Sequence, residues 1–233
     1  MVELDPKRTA EIKSNLSIFL NQLEDQARNC GRNAAEITVI AVTKGFPAAD
    51  LLALHSLGIR DFGESRDQDI RSKLAEIAET NFHLHFIGQL QRNKVKSVCS
   101  YASAIHSVDR IELVNEMTKL ANQGIAVPKI LIQVNLDPES SNSRGGTQAN
   151  QVLELARVSA ENGLTLAGLM AVAPLSADPA DAFRIFSEVA TEFASEFPDA
   201  TWRSIGMSND WHLAVAAGAT HLRIGSALLG NRG

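Results

Sequence analysis

The chain has 233 residues, 45% of them hydrophobic and 21% charged, with a formal net charge of −5. That is the balance of an ordinary globular chain with length for one sizeable core, and it speaks against general attraction to nucleic acid or to an anionic membrane. The polar start Val2-Glu3-Leu4-Asp5 does not read as a signal peptide, and no apolar run reaches the ~18 residues of a spanning helix. Cys30 and Cys99 are isolated and have no metal-type spacing, so the expectations are a cytoplasmic, reducing location and no metal site.

Residues 8–30 carry Ile12, Leu16, Phe19, Leu20 and Leu23 at helical spacing. Residues 37–44 are apolar and β-branched up to Lys44, which predicts a first strand. A short helix over 48–57, a strand over 59–63, a polar-faced helix over 66–79 and a strand over 82–87 follow. Then come a short basic helix over 90–98 and a strand over 102–108. Asp109 is a plausible N-cap for a helix over 110–123 that stops at Gly124. The second half repeats the pattern, with strands over 129–135, 166–172, 202–205 and 221–224 and helices over 147–162, 179–195 and 209–217. Eight strands alternating with helices predict an α/β chain folded as a (β/α)8 TIM barrel with an extra N-terminal helix, one domain over 1–233. A doubly wound open sheet is the alternative.

In a barrel the chemistry sits at the C-terminal ends of the strands. Lys44 ends the first. A lysine buried there would have a lowered pKa and act as a nucleophile toward a carbonyl; the plainer reading is an amine snorkelling to solvent. Gly206-Met207-Ser208-Asn209-Asp210 leads from the seventh strand into a helix that Ser208 or Asn209 could cap, with backbone N–H groups turned toward an anion. Gly225-Ser226 opens a second short helix after the eighth strand, and phosphate between these two loops is a recurrent barrel arrangement. Arg223 sits between Leu222 and Ile224 and, if it points inward, needs a carboxylate, a phosphate oxygen or a ring nitrogen. His83 and His85 share one face of a strand with no Cys or acidic neighbour in the run, which does not make a metal site.

A strand-end lysine, paired phosphate loops and an inward arginine fit an aldehyde cofactor carrying a phosphate and a pyridine ring, namely pyridoxal 5′-phosphate. The ordered segments Ala41-Val42-Thr43-Lys44, Phe62-Gly63-Glu64, His85 through Lys94, Gly168-Leu169-Met170, Gly206-Met207-Ser208 and Arg223 through Ala227 carry the comparison further. Along nearly its whole length the chain resembles the pyridoxal phosphate homeostasis protein family (the YggS/PROSC type).

The resemblance implies a fold type III barrel like the N-terminal domain of alanine racemase, with Lys44 as the Schiff-base lysine. It implies that Ser208, Gly225 and Ser226 hold the phosphate and that Arg223 faces the pyridine nitrogen. His85 and Met207 are expected to line the pocket by position, and Ser65 to lie near the cofactor. Ser65 stands where the family usually has asparagine, and serine is shorter and has no amide. Arg144 stands where the family often has lysine, keeping the charge but not a second amine.

Two functions compete. One is a monomeric carrier that buffers pyridoxal phosphate and delivers it to apo-enzymes, affecting amino-acid and keto-acid balance without catalysis. The other is a small amino-acid racemase, which needs an acid/base on each face of the cofactor. The chain has one tyrosine, Tyr101, and it precedes the fourth strand, toward the wrong end of the barrel. An arginine at the ring nitrogen also weakens the electron sink. Both points favour the carrier.

Overall fold

The computed structural model describes residues 2–77, 81–137, 145–174 and 178–230. Eight parallel strands run β1 (Thr38–Val42), β2 (Asp61–Glu64), β3 (His83–Phe86), β4 (Ala104–Val108), β5 (Lys129–Val134), β6 (Leu166–Ala171), β7 (Trp202–Met207) and β8 (His221–Ile224). Each pairs with the next, and β8 returns to β1 through Thr38–His221, Val39–Leu222, Ile40–Arg223 and Ala41–Ile224, closing the barrel. The α/β barrel expected from the alternation is therefore the fold, and the open sheet is not.

The N-terminal helix α1 (Pro6–Asn29) starts where Asp5 accepts from the Lys7 N–H at 2.9 Å, with proline in its first turn. It buries Ile12, Leu16, Phe19, Leu23 and Ala27. Leu20, expected on that face, is 40% exposed, because it falls at the outer edge of the stripe that Ile12, Leu16, Phe19, Leu23 and Ala27 form. The crossover helices are α2 (Ala48–Ser56), α3 (Asp67–Glu76), α4 (Val95–Cys99), α5 (Ile111–Asn122), α6 (Val152–Glu161), α7 (Pro179–Glu196) and α8 (Trp211–Ala216), and α9 (Ser226–Leu229) follows β8. Arg8 of α1 donates to Asp50 of α2 at 2.7 Å and to the Leu229 carbonyl of α9 at 2.8 Å, clasping the first and last turns of the barrel.

Three local expectations are revised. Asp109 does not cap α5; its carboxylate takes the Gly146 N–H at 3.1 Å and pairs with Arg110, joining the loops after β4 and β5. The helix expected from 147 opens with a 3-10 turn over Ala149–Gln151 and becomes α6 at Val152, since Thr147 forms a parallel bridge with Val134. Helix α8 starts at Trp211, so neither Ser208 nor Asn209 is its cap residue; Asp210 holds that position and turns back to accept the Met207 N–H at 2.6 Å.

Two cores result. The large one lies between strands and helices, with Phe62, Phe183, Phe186, Leu51 and Leu54 fully buried. Inside the barrel the apolar cluster is small, Ala104, Leu131, Ala167 and Met170 with Val172 and Trp202 against it. Beside that cluster stand buried polar residues, among them His85, His106, Ser204, His221 and Arg223. An interior of this kind needs each polar group partnered. No helix among the described residues is long and apolar enough to cross a membrane.

Candidate functional site

A cavity of about 540 Å³ opens at the C-terminal ends of the strands, walled by Val42, Lys44 and Phe46 after β1 and Ile87 after β3. Met207, Ser208 and Asn209 after β7, and Arg223, Gly225, Ser226 and Gly230 at β8, complete it. The volume lies within the range of small-molecule sites. Among the described residues of this wall Lys44 and Arg223 are charged and no carboxylate joins them, which favours an anion.

Lys44 is exposed in the turn beyond β1, as in the plainer of its two readings, and not buried at the strand's end. What is buried lies beneath it. The Thr43 hydroxyl donates to Glu64 Oε1 at 2.7 Å, and the Thr43 carbonyl accepts from Lys73 Nζ at 2.7 Å. Lys73 also forms a short contact with the same Glu64 oxygen. A buried ion pair thus fixes the backbone that carries Lys44 to the cavity mouth.

Arg223 is buried and held from below. Its Nη1 donates to the Ser204 carbonyl at 2.6 Å and to Ser204 Oγ at 2.8 Å, and its Nη2 donates to the Ala171 carbonyl at 2.8 Å. These use three of its five N–H groups. Burial lowers its pKa to about 10, partly offset by Asp210, so it stays cationic at neutral pH.

The loops after β7 and β8 meet at one atom. Ser208 Oγ accepts from the Gly225 N–H at 3.2 Å and from the Ala227 N–H at 3.4 Å, at the start of α9. Converging backbone N–H groups with a hydroxyl beside them are what a phosphate oxygen requires.

The structure thus brings Lys44, Met207, Ser208, Arg223, Gly225 and Ser226 to one cavity. It places two expected residues elsewhere. Ser65 borders a separate polar cleft with Arg66, Asp67, Gln89 and Lys94. His85 points inward but sits lower, its Nε2 on Asp61 at the N-terminal end of β2 and its Nδ1 on His106. Strand alternation gives the face a side chain takes; its depth along the barrel axis depends on the stagger between strands. Arg144 lies outside the described residues. Lys73, His106 and Ser204 were not singled out from sequence. The spacing of Ile70 and Lys73, both on the buried face of α3, was the available signal for the lysine.

Tyr101 lies in the turn before β4, beside Arg71, Lys96 and Ser97, outside the cavity. Burial raises its pKa, with Asp67 adding to the effect.

No family model matches the chain. Curated relatives do. The pyridoxal phosphate homeostasis protein of Mycobacterium tuberculosis is 36% identical over 247 residues, covering 97% of this chain and 95% of the relative. The chain belongs to the pyridoxal phosphate homeostasis protein family. The Escherichia coli member is 34% identical over 229 residues, covering 95% of this chain and 97% of its own. Among solved structures, PipY of Synechococcus elongatus with pyridoxal phosphate bound aligns at TM-score 0.81 and 32% identity over 94% of this chain and 100% of PipY. Alanine racemase from Bacillus anthracis aligns at TM-score 0.68 and 18% identity over 96% of this chain and 56% of the racemase, a likeness of fold alone.

Proposed function

We propose that this member of the pyridoxal phosphate homeostasis family binds pyridoxal 5′-phosphate in the β-strand-end cavity and takes part in intracellular homeostasis of that cofactor, as a carrier without turnover. The observation that carries this is one cavity wall holding an exposed amine, a buried guanidinium and the Ser208–Gly225 anion cradle. When bound, pyridoxal phosphate would supply an aldehyde that a primary amine can hold reversibly.

The residues divide the work. Lys44 provides the amine from a backbone pinned by Thr43, Glu64 and Lys73. Ser208, Gly225 and Ser226 receive the phosphate, with Met207 at their flank. Arg223 donates a remaining N–H to the ring nitrogen, an end that an acid there would have protonated. Lys44 can serve one face as a base, while Tyr101, the one tyrosine of the chain, stands outside the cavity and does not serve the other face, which speaks against the racemase reading. A single barrel domain over 1–233, monomeric and cytoplasmic, leaves the mouth open for transfer to apo-enzymes. The parts of this reading beyond cofactor binding are supported by the open cavity mouth and by Tyr101 standing outside the cavity.

Borohydride reduction of the loaded protein tests it. Cofactor is fixed to the wild type and lost in Lys44→Ala; equal trapping in both removes Lys44 from its role. Transfer to an apo-enzyme in the presence of a trap for free cofactor tests delivery, and sustained racemisation of amino acids would overturn the carrier reading.

A further inference from the structure

Below Arg223 a file of buried hydrogen bonds runs down the barrel to its other end. Arg223 Nη1 lies 2.8 Å from Ser204 Oγ, Ser204 Oγ 2.9 Å from His106 Nδ1, His106 Nε2 2.9 Å from His85 Nδ1, and His85 Nε2 3.0 Å from Asp61 Oδ1. His106 and Ser204 are fully buried, whereas Asp61 reaches the rim, where exposed His83 also meets it at 3.1 Å.

The two ends fix every proton between them. Arginine only donates, and an ionised aspartate only accepts. His85 must therefore carry hydrogen on Nε2. When His85 is neutral its Nδ1 accepts, so His106 carries hydrogen on Nε2 and its own Nδ1 accepts the Ser204 O–H. When His85 is cationic its Nδ1 also carries hydrogen, and the two bonds above it, His85–His106 and His106–Ser204, reverse. The file gains one proton in all, leaving His85 with hydrogen on both ring nitrogens, His106 with its hydrogen on Nδ1 and Ser204 still a hydroxyl. His106 is neutral in both states but changes tautomer. Ser204 Oγ then receives two donors, His106 and Arg223, and holds the guanidinium less firmly.

The surroundings keep His106 neutral. Burial pushes the His106 pKa well below its ordinary value, and the neighbouring His85, Arg223 and His221 add to that. Facing His85 are Asp61 from β2 and His106 from β4, with His221 from β8 at 6.4 Å between ring centres and Trp202 from β7 at 6.2 Å. Lys129 of β5 lies over Trp202 at 4.9 Å. Burial pushes the Asp61 carboxyl up, but its bonds to His85 and His83 outweigh this and hold it below the ordinary value, so it remains the fixed acceptor.

We propose that His106 is a positioning residue for Arg223, and that the Asp61–His85–His106–Ser204 file carries the protonation state of His85 to the guanidinium facing the cofactor. The link to the cofactor rests on the reading of the cavity given above; the file itself does not.

Nitrogen NMR of ¹⁵N-histidine-labelled, cofactor-free protein tests the file, with His85→Gln and His106→Asn spectra giving the assignments. Across a pH titration His106 should be the neutral Nε2–H tautomer wherever the His85 ring is neutral and the neutral Nδ1–H tautomer wherever the His85 ring is cationic. A His106 that keeps one tautomer throughout overturns the proposal, whether or not His85 titrates. In loaded protein, the acid-induced absorbance shift of bound cofactor should be diminished in His106→Leu, with retention weakened about threefold to tenfold. His106→Asn, whose Oδ1 can still accept from Ser204, should recover most of the retention. Unchanged retention and absorbance in His106→Leu remove the link to Arg223. Loss of trapping equally in wild type and variants would sink the cofactor reading while leaving the tautomer result standing.

Discussion

Ser208 Oγ and the Gly225 backbone N–H meet at 3.2 Å, tying the loop after β7 to the loop after β8. The hydroxyl takes there the accepting role that a phosphate oxygen takes in an anion site. The two loops, 17 positions apart in sequence, share one electrostatic point, and a change on either is felt by both.

Replacing that hydroxyl by a carboxylate should close the site without unfolding it. In Ser208→Asp the new oxygens can accept from Gly225 and Ala227 while repelling a phosphate dianion. Affinity for pyridoxal phosphate should fall at least about tenfold, ~1.4 kcal/mol, with a smaller loss in Ser208→Ala. Equilibrium dialysis measures both, and affinities equal to wild type would take Ser208 out of the phosphate site.

Two glycines of these loops should respond oppositely to alanine. Gly206 has φ +89°, and a Cβ on it would lie 2.5 Å from the Ala214 Cβ and 2.9 Å from Leu222 Cδ2. Gly206→Ala combines backbone strain with overpacking and should cost roughly 2–4 kcal/mol of stability. Gly225 has φ −114°, and a Cβ there would meet Val42 at ordinary contact, 3.4 Å or more. Gly225→Ala should therefore cost less than about 1 kcal/mol. Urea denaturation of the two variants reads the difference, and equal losses would mean that the β7–α8 turn relaxes.

The barrel was legible because alternation of short apolar runs and helical stripes is a local property of the chain, and the strand-end rule converts it into candidate residues. Lys44, Ser208, Arg223 and Gly225, singled out in this way, line one cavity. Depth was not legible. His85 has the inward parity of a pocket residue, yet the stagger of β3 against β2 and β4 lowers it onto Asp61 and His106. Cap geometry was also hidden, since Asp210 turns back onto Met207 and leaves Ser208 to bond across to another loop. Lys73 read as part of a polar helix; only the fold shows that it reaches Glu64 and the Thr43 carbonyl.

That buried pair should be more costly to halve than to remove. Lys73→Met leaves the Glu64 charge uncompensated and should destabilise by about 3–5 kcal/mol. Adding Glu64→Gln removes the stranded charge, and the double variant should recover a large part of the loss. Because Lys73 also holds the Thr43 carbonyl, cofactor trapping at Lys44 should stay below wild type even in the double variant. A double variant no more stable than Lys73→Met would show that packing, not charge, dominates at this site.

The histidines inside the barrel set the acid limb of stability. Burial lowers the His221 pKa to about 4 from 6.5, with the charge of His85 adding to it and Asp61 opposing, and it pushes His106 well below 6.5. Above about pH 6.5 both rings are neutral whether folded or unfolded, and their contribution is fully present. Below it the unfolded chain binds protons that the folded barrel refuses, so stability falls with pH by ~1.4 kcal/mol per unit for each ring, for His221 until about pH 4. Asp61, held below its ordinary value of 3.8, stays charged across this window and its own loss comes only at lower pH. His221→Phe, which keeps an aromatic ring against Trp202 (4.1 Å between ring centres in the wild type), should retain its stability further into acid. Its slope between about pH 6.5 and 4 should be shallower by ~1.4 kcal/mol per unit in urea titrations. Parallel slopes for wild type and variant would mean that His221 takes up its proton in the folded barrel as readily as in the unfolded chain.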